Sequence, residues 1–214
     1  MKKIEAIPPE APKDCPLCPR LVAYRDQNKT DNPDWFNGAV PSFGDPQGRV
    51  LIVGLAPGVT GANRTGRPFT GDWAGDLLYP TLAKFGLSDG IFDARADDGL
   101  RLIDCMITNA VRCVPPQNKP VAAEVNACRP FLQARIAAMP QLTTIVTLGK
   151  IAHDSTVRTL GARIADHPFA HEAQTTAGPY RLIASYHCSR YNTNTGRLTP
   201  EMFEAVFARA RAAA

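Results

Sequence analysis

The sequence predicts an α/β fold, a three-layer α/β/α sandwich around a central, mostly parallel, four-stranded sheet. Four short runs are apolar on both faces, which is typical of parallel strands covered by helices on either side. The runs span residues 49–54, 104–111, 143–149 and 181–186. Helix-like segments alternate with these runs, and such alternation favours right-handed crossover connections.

The segments outside the runs carry helix start and stop signals. Gly86 and Gly161 stand where two helices would end. Thr199 and Pro200 supply an N-cap and a first-turn proline for the last helix. We expect helices over residues 20–28, 73–85, 122–139 (interrupted or ended near Pro130), 150–160, and from 199 onwards. A chain of 214 residues fits one domain of ordinary size, or at most two small ones.

Composition sets broad limits on function. An apolar content of 44% is enough for a core, and the net charge of +4 is too small to indicate nucleic acid by itself. The first residues lack the apolar run of a signal peptide, and no stretch is long enough to span a bilayer. We therefore expect a cytoplasmic protein without a membrane partner, in which clustered cysteines serve metal binding or redox chemistry rather than disulfides.

Four cysteines have the spacing of a metal site. Cys15 and Cys18 form a Cys-x-x-Cys pair, and Cys113 and Cys128 bracket a proline-containing loop and a short helical stretch. A thiolate quartet of this kind holds either a tetrahedral zinc ion or an iron–sulfur cluster. The spacing alone leaves both metals open.

The expected ligand site follows from the predicted sheet. Ligands in parallel sheets bind at the carboxyl ends of strands, which here means the loops after Gly54, Val111 and Tyr186. The first of these loops is rich in glycine and carries two arginines, and the third begins with His187. The first loop contains neither a Walker motif nor a dinucleotide fingerprint.

Four segments, in order, resemble one protein family. They are Gly-Leu-Ala-Pro-Gly at 54–58, Asn-Arg-Thr-Gly-Arg-Pro-Phe-Thr-Gly-Asp at 63–72, the stretch 109–119 and the stretch 185–199. Together they resemble the uracil-DNA glycosylases, specifically the iron–sulfur type of bacteria and archaea called family 5, and the resemblance covers residues 15 to about 207. It implies one glycosylase domain over 1–214, acting as a monomer on DNA. The enzyme would hydrolyse the N-glycosidic bond of uracil, and of other deaminated bases such as hypoxanthine, to leave an abasic site.

The resemblance also implies roles for individual residues. Enzymes that act on a base in duplex DNA flip the nucleotide out of the stack. Asp72 would position the attacking water, and His187 would donate a hydrogen bond to uracil O2 as negative charge builds there. The base would be held by Leu55, Ala56, Phe69, Asn109 and Asn118. Asp72 also fits a plain helix N-cap before Trp73.

The resemblance further implies contacts with DNA and with a cofactor. Arg190, Tyr191 and Asn192 would wedge into the duplex. The phosphate contacts would be Arg64, Arg67, Arg112, Lys119 and Arg197. Cys15, Cys18, Cys113 and Cys128 would ligate a [4Fe–4S] cluster that ties down the N-terminal segment 1–30. Two alternatives stay open: a non-catalytic or covalently trapping DNA-binding relative, and a zinc-stabilised nucleotide-binding α/β protein.

Overall fold

The computed structural model describes residues 8–213, so the first seven residues of the predicted N-terminal segment lie outside it. The strands, in chain order, are β1 (Phe43–Gly44), β2 (Val50–Gly54), β3 (Ser88–Asp89), β4 (Arg101–Leu102), β5 (Cys105–Asn109), β6 (Thr144–Leu148), β7 (Gln174–Ala177) and β8 (Tyr180–Ser185). The α-helices are α1 (Pro19–Asp31), α2 (Ala62–Thr65), α3 (Trp73–Lys84), α4 (Ala122–Ala137), α5 (Lys150–Thr159), α6 (Arg190–Asn194) and α7 (Pro200–Ala213). Single 3₁₀ turns lie at Pro116–Asn118 and Ile164–Asp166.

The main sheet has six strands in the order β1-β5-β2-β6-β8-β7. Strands β5, β2, β6 and β8 are parallel and correspond to the four predicted runs, whereas β1 and β7 pair antiparallel at the two edges. The mostly parallel sheet is thus confirmed, but the predicted number of four strands is wrong. β1 is only two residues long, and β7 is largely polar. Neither edge strand therefore has the apolar run on which the prediction depended.

Side chains of the central strands alternate between the two faces of the sheet, as the pleat requires. Val50 and Ile52 pack with α3 and α7 in one core. Leu51 and Val53 pack with α4 and α5 in the other. The sandwich therefore has three layers, with a helix layer on each face of the sheet.

Helix α4 runs through Pro130 without a break, contrary to the predicted interruption. A proline inside a helix removes one hydrogen bond and costs roughly 3 kcal/mol. The helix buries Phe131, Leu132 and Ile136 beyond that point. Each such side chain contributes about 1.5–3 kcal/mol when it is buried, so packing outweighs the local cost.

A third apolar cluster joins the N-terminal segment to the rest of the fold. Leu21 of α1 packs there with Val125 and Phe131 of α4. Arg20 forms a bidentate ion pair with Glu124, with nitrogen–oxygen distances of 2.7 and 2.8 Å.

Across residues 8–213 no helix has the length and apolar character that crossing a membrane would take.

Candidate active site

A cleft of about 830 Å³ lies where the parallel strands end. This volume is within the range of ligand pockets in proteins, about 300–1,000 Å³. Its walls come from the loops after β2, β5 and β8, as the strand-end rule predicts, together with the start of α3. The loop after β6 contributes a further wall, Gly149 to Ile151, which the sequence reasoning missed. The available signal was Gly149 at the end of an apolar run, where its φ of 91° turns the chain into α5.

Asp72 lies in the cleft at the N-terminus of α3. Its Oδ1 accepts hydrogen bonds from the backbone N–H groups of Ala74 and Gly75, at 3.2 and 3.3 Å, and so caps the helix. In the part of the chain that the structure describes, Oδ2 accepts no hydrogen bond and faces Gly58 and Gly61. A Cβ atom at Gly61 would overlap with that oxygen. Burial raises the pKa of Asp72, which makes its carboxylate a stronger base.

His187 stands across the cleft, two residues beyond the end of β8. The residue lines the cleft and is partly exposed, while its Nδ1 atom is buried without a hydrogen-bond partner among residues 8–213. Burial lowers the pKa of His187 to about 4, so the imidazole is neutral at pH 7. The side-chain amide of Asn192 donates to the His187 carbonyl oxygen at 2.8 Å and fixes the backbone there.

Phe69 and Asn109 do not line the cleft, and both are buried against Gly54 at the end of β2. The Phe69 ring stacks near the His187 ring, with centroids 5.9 Å apart and planes 25° apart. Phe69 has a φ of 54°, an uncommon value for a non-glycine residue, and such strain is often found at functional sites. Asn109 is 4% exposed, and its Oδ1 has no partner in the described chain. A Cβ at Gly54 would overlap with both side chains, so only glycine fits there.

Two backbone segments complete the inner walls. Leu55 and Ala56 line the cleft directly after β2. Within residues 8–213 their N–H groups make no hydrogen bond, so both donors are available to a ligand. Asn118 lies on the opposite rim with an exposed side chain and a φ of 56°. All three residues thus line the cleft.

The predicted wedge residues form a short helix at the mouth of the cleft. Ser189 caps α6 by accepting a hydrogen bond from the Asn192 N–H. Arg190 and Tyr191 line the cleft, and the Tyr191 side chain is 72% exposed. Of the predicted phosphate contacts, Lys119 lines the same cleft with an exposed side chain, while Arg64 and Arg197 are exposed beyond its lining residues.

Arg67 and Arg112 cannot contact phosphate, which corrects that part of the prediction. Arg67 is 4% exposed and makes a bidentate pair with Asp98 at 2.7 and 2.6 Å. Arg112 is 1% exposed and donates to Glu10 and Ser42, each at 2.9 Å. Both guanidinium groups are therefore structural cations inside the protein, and their charges are not available at its surface.

Cys15, Cys18, Cys113 and Cys128 line one small cavity between α1, the end of β5 and α4. Burial raises the pKa of the Cys113 thiol to about 12 and that of Cys128 to about 11. Two donors point at these sulfurs: the Arg112 N–H at 3.3 Å from Cys128 Sγ, and the Arg25 guanidinium at 3.9 Å from Cys113 Sγ. In residues 8–213 no three His, Cys, Asp or Glu side chains are arranged to hold a single metal ion.

The cavity nevertheless brings together four cysteine sulfurs, a donor set that zinc and iron–sulfur clusters both use. Ligands of a single metal ion converge on one point, whereas the ligands of an iron–sulfur cluster surround a larger body. The donor set is four sulfurs, and nearby N–H groups can hydrogen-bond to them. The two remaining cysteines, Cys105 and Cys188, are fully buried outside this cavity.

Comparison with known proteins agrees with this fold and cleft. Residues 41–211 match the uracil DNA glycosylase superfamily, and the chain belongs to that superfamily. A type-5 uracil-DNA glycosylase of Thermus thermophilus is 46% identical over 204 residues, which is 92% of each chain. A second type-5 enzyme, from Pyrobaculum aerophilum, is 40% identical over 93% of this chain and 88% of its own. A type-4 uracil-DNA glycosylase of the same organism is 35% identical over 71% of this chain and 63% of its own.

Proposed function

We propose that the protein is a monofunctional uracil-DNA glycosylase, a hydrolase of DNA repair that removes uracil and leaves an abasic site. The observation that carries the proposal is the pairing of Asp72 and His187 across one cleft, in a chain that belongs to the superfamily. The type-5 relatives, similar over nearly their whole length, support the reaction.

The proposed mechanism begins with a uracil nucleotide flipped into the cleft, because the glycosidic bond is out of reach inside the duplex. The Oδ2 atom of Asp72 orients a water molecule toward the anomeric carbon of the sugar. Its raised pKa favours accepting a proton from that water as the bond breaks. The Oδ1 atom keeps the carboxylate fixed through its hydrogen bonds to α3.

His187 stabilises the departing base. Because the ring is neutral at pH 7, it donates a single N–H to the uracil oxygen on which negative charge develops. A fixed donor of this type lowers the barrier most when it is aimed at the transition-state charge, and removing one costs on the order of 10²–10³ in rate. The Phe69 ring stacks near the His187 ring and supports it.

The base is read mainly by groups that recognise a carbonyl oxygen. The unpaired N–H groups of Leu55 and Ala56 would donate to such an oxygen, and the exposed amide of Asn118 would donate or accept. The buried Asn109 amide, whose Oδ1 has no partner in the described chain, would reach the base from behind the lining residues. Uracil and hypoxanthine both present a ring carbonyl beside a ring N–H. This shared pattern supports our proposal that other deaminated bases, such as hypoxanthine, are also substrates.

DNA would approach the cleft mouth, where α6 supplies the wedge through Arg190, Tyr191 and Asn192. Arg64, Lys119 and Arg197 would contact phosphates, and their exposed side chains support this role. We propose that one monomer, as a single domain over 1–214, is the active unit. Because its substrate is cellular DNA, we also propose that it works in the cytoplasm in association with the nucleoid.

A [4Fe–4S] cluster is the proposed cofactor, with Cys15, Cys18, Cys113 and Cys128 as its ligands. The cluster would crosslink the N-terminal segment to the β5–α4 loop and takes no part in bond cleavage. Four sulfurs lining one cavity, with the Arg112 N–H near Cys128 and the Arg25 guanidinium near Cys113, support this proposal.

An end-labelled duplex with one deoxyuridine opposite guanine tests the function. We expect strand breakage only after hot alkali, because a monofunctional enzyme leaves the backbone intact. Asp72→Ala and His187→Ala are the matched variants and should lose most of the single-turnover rate. Breakage without alkali would contradict the monofunctional reaction, and near wild-type rates in both variants would contradict the site. Tight binding without any breakage would favour a non-catalytic relative.

A further inference from the structure

Helix α6 lacks the packing that normally fixes a helix. It has five residues, and none of them is buried. Helices this short are not stable by themselves and depend on tertiary contacts. A wedge that separates two bases must nonetheless keep its position against the tendency of those bases to restack. The contacts between α6 and the rest of the protein therefore determine how well it works.

Trp73 supplies two of these contacts from the neighbouring helix α3. Its indole Nε1–H donates to Thr193 Oγ1 of α6 at 2.9 Å. The guanidinium carbon of Arg190, at the other end of α6, lies 5.5 Å from the Trp73 ring centroid, in the range of a cation–π contact. The Trp73 side chain is 47% exposed and lines the cleft, so it contributes little to the core.

Trp73 also follows Asp72 directly in the chain. The Asp72 carboxylate caps the same helix turn that Trp73 opens. We propose that Trp73 is a positioning residue that holds α6 in a fixed relation to the Asp72 carboxylate, so that wedge insertion and delivery of the sugar to the bound water occur together. The inference rests on the proposed function, in which α6 inserts into DNA.

The test compares two DNA substrates that differ only in how hard the base is to flip. In one duplex the uracil pairs with adenine, and in the other it lies in a three-base bubble. Trp73→Phe removes the N–H donor and keeps a ring beneath Arg190. Thr193→Val removes the acceptor, together with the hydroxyl's hydrogen bonds to the Ser189 and Arg190 carbonyl oxygens, whereas Thr193→Ser keeps a hydroxyl. Trp35→Phe, at the chain's other tryptophan, is the matched control.

We expect Trp73→Phe and Thr193→Val each to slow single-turnover excision from the paired duplex by about three- to tenfold, the equivalent of one neutral hydrogen bond. On the bubble substrate both should stay within about twofold of wild type, because an unpaired base needs little help to flip. The double variant should be no slower than Thr193→Val alone, since that variant already lacks the bond that Trp73→Phe removes. Thr193→Ser and Trp35→Phe should behave as wild type.

Equal losses on the two substrates, no loss on either, or additive losses in the double variant would each overturn the positioning role. A wild-type protein that excises uracil from neither duplex would overturn the proposed function instead. The variants and the two substrates thus separate failure of the inference from failure of the function on which it rests.

Discussion

At the scale of single residues, Asp72 uses its two oxygens for different tasks. Oδ1 caps α3 and Oδ2 faces the open cleft. We expect Asp72→Asn to keep a capping acceptor and lose the general base, so activity should fall by at least about 10²-fold with little change in stability. Asp72→Ala should lose the cap as well and unfold about 1 kcal/mol more easily. Urea denaturation and single-turnover kinetics measure both quantities. Equal stability of the two variants would argue against the capping role.

The ring of His187 makes a separate prediction about pH. Its pKa falls from an unfolded value near 6.5 to about 4 in the fold, so the unfolded chain binds the extra proton first. The native state should therefore lose stability as pH falls below about 6.5, with the loss complete near pH 4. In His187→Gln this part of the acid dependence should disappear. Chemical unfolding at pH 7 and pH 5 tests the difference, and parallel pH dependences in the two proteins would contradict it.

At the scale of elements, the loop that carries Phe69 depends on the Arg67–Asp98 pair. The Arg67 guanidinium holds the pKa of Asp98 far below its usual range and also packs over Phe43, Tyr79 and Phe92. Removing one partner leaves a buried charge without its counterion. We therefore expect Asp98→Asn to destabilise the fold by about 3–5 kcal/mol. Calorimetry measures this loss. The matched control is Asp89→Asn, which removes one partner of the exposed Arg101–Asp89 pair. We expect this control to change stability by less than about 1 kcal/mol.

The Arg67–Asp98 pair also shows which features of the fold the sequence could not predict. Strands β2, β5, β6 and β8 could be predicted because apolar runs reflect burial on both faces. His187 could be placed at the edge of the sheet because the strand ends share that edge, whereas Asp72 was expected from the resemblance to the family. The burial of Arg67 and Arg112 could not be predicted, because their partners lie 31 and 102 residues away. No local pattern in the sequence shows that either arginine turns inward.

At the scale of the whole molecule, the four-cysteine cavity joins the N-terminal segment to the end of β5 and to α4. We expect Cys113→Ser to lose bound iron and visible absorbance, and to expose residues 8–31 to proteolysis, because two of the four ligands lie in that segment. Cys105→Ala, a buried cysteine outside the cavity, should keep both. Iron analysis and limited proteolysis provide the readouts. A Cys113→Ser protein with full iron content would contradict the ligand assignment, and zinc in place of iron in wild type would contradict the cluster.

The β5–α4 connection has a wider consequence. Cys113 and Cys128 lie on either side of the turn that carries Asn118 and Lys119 to the rim of the cleft. Because the proposed cluster contains iron, the iron supply of the organism would determine how much active enzyme is present for DNA repair. A cell starved of iron, or exposed to oxidants that destroy such clusters, would still make the polypeptide but would accumulate uracil in its DNA.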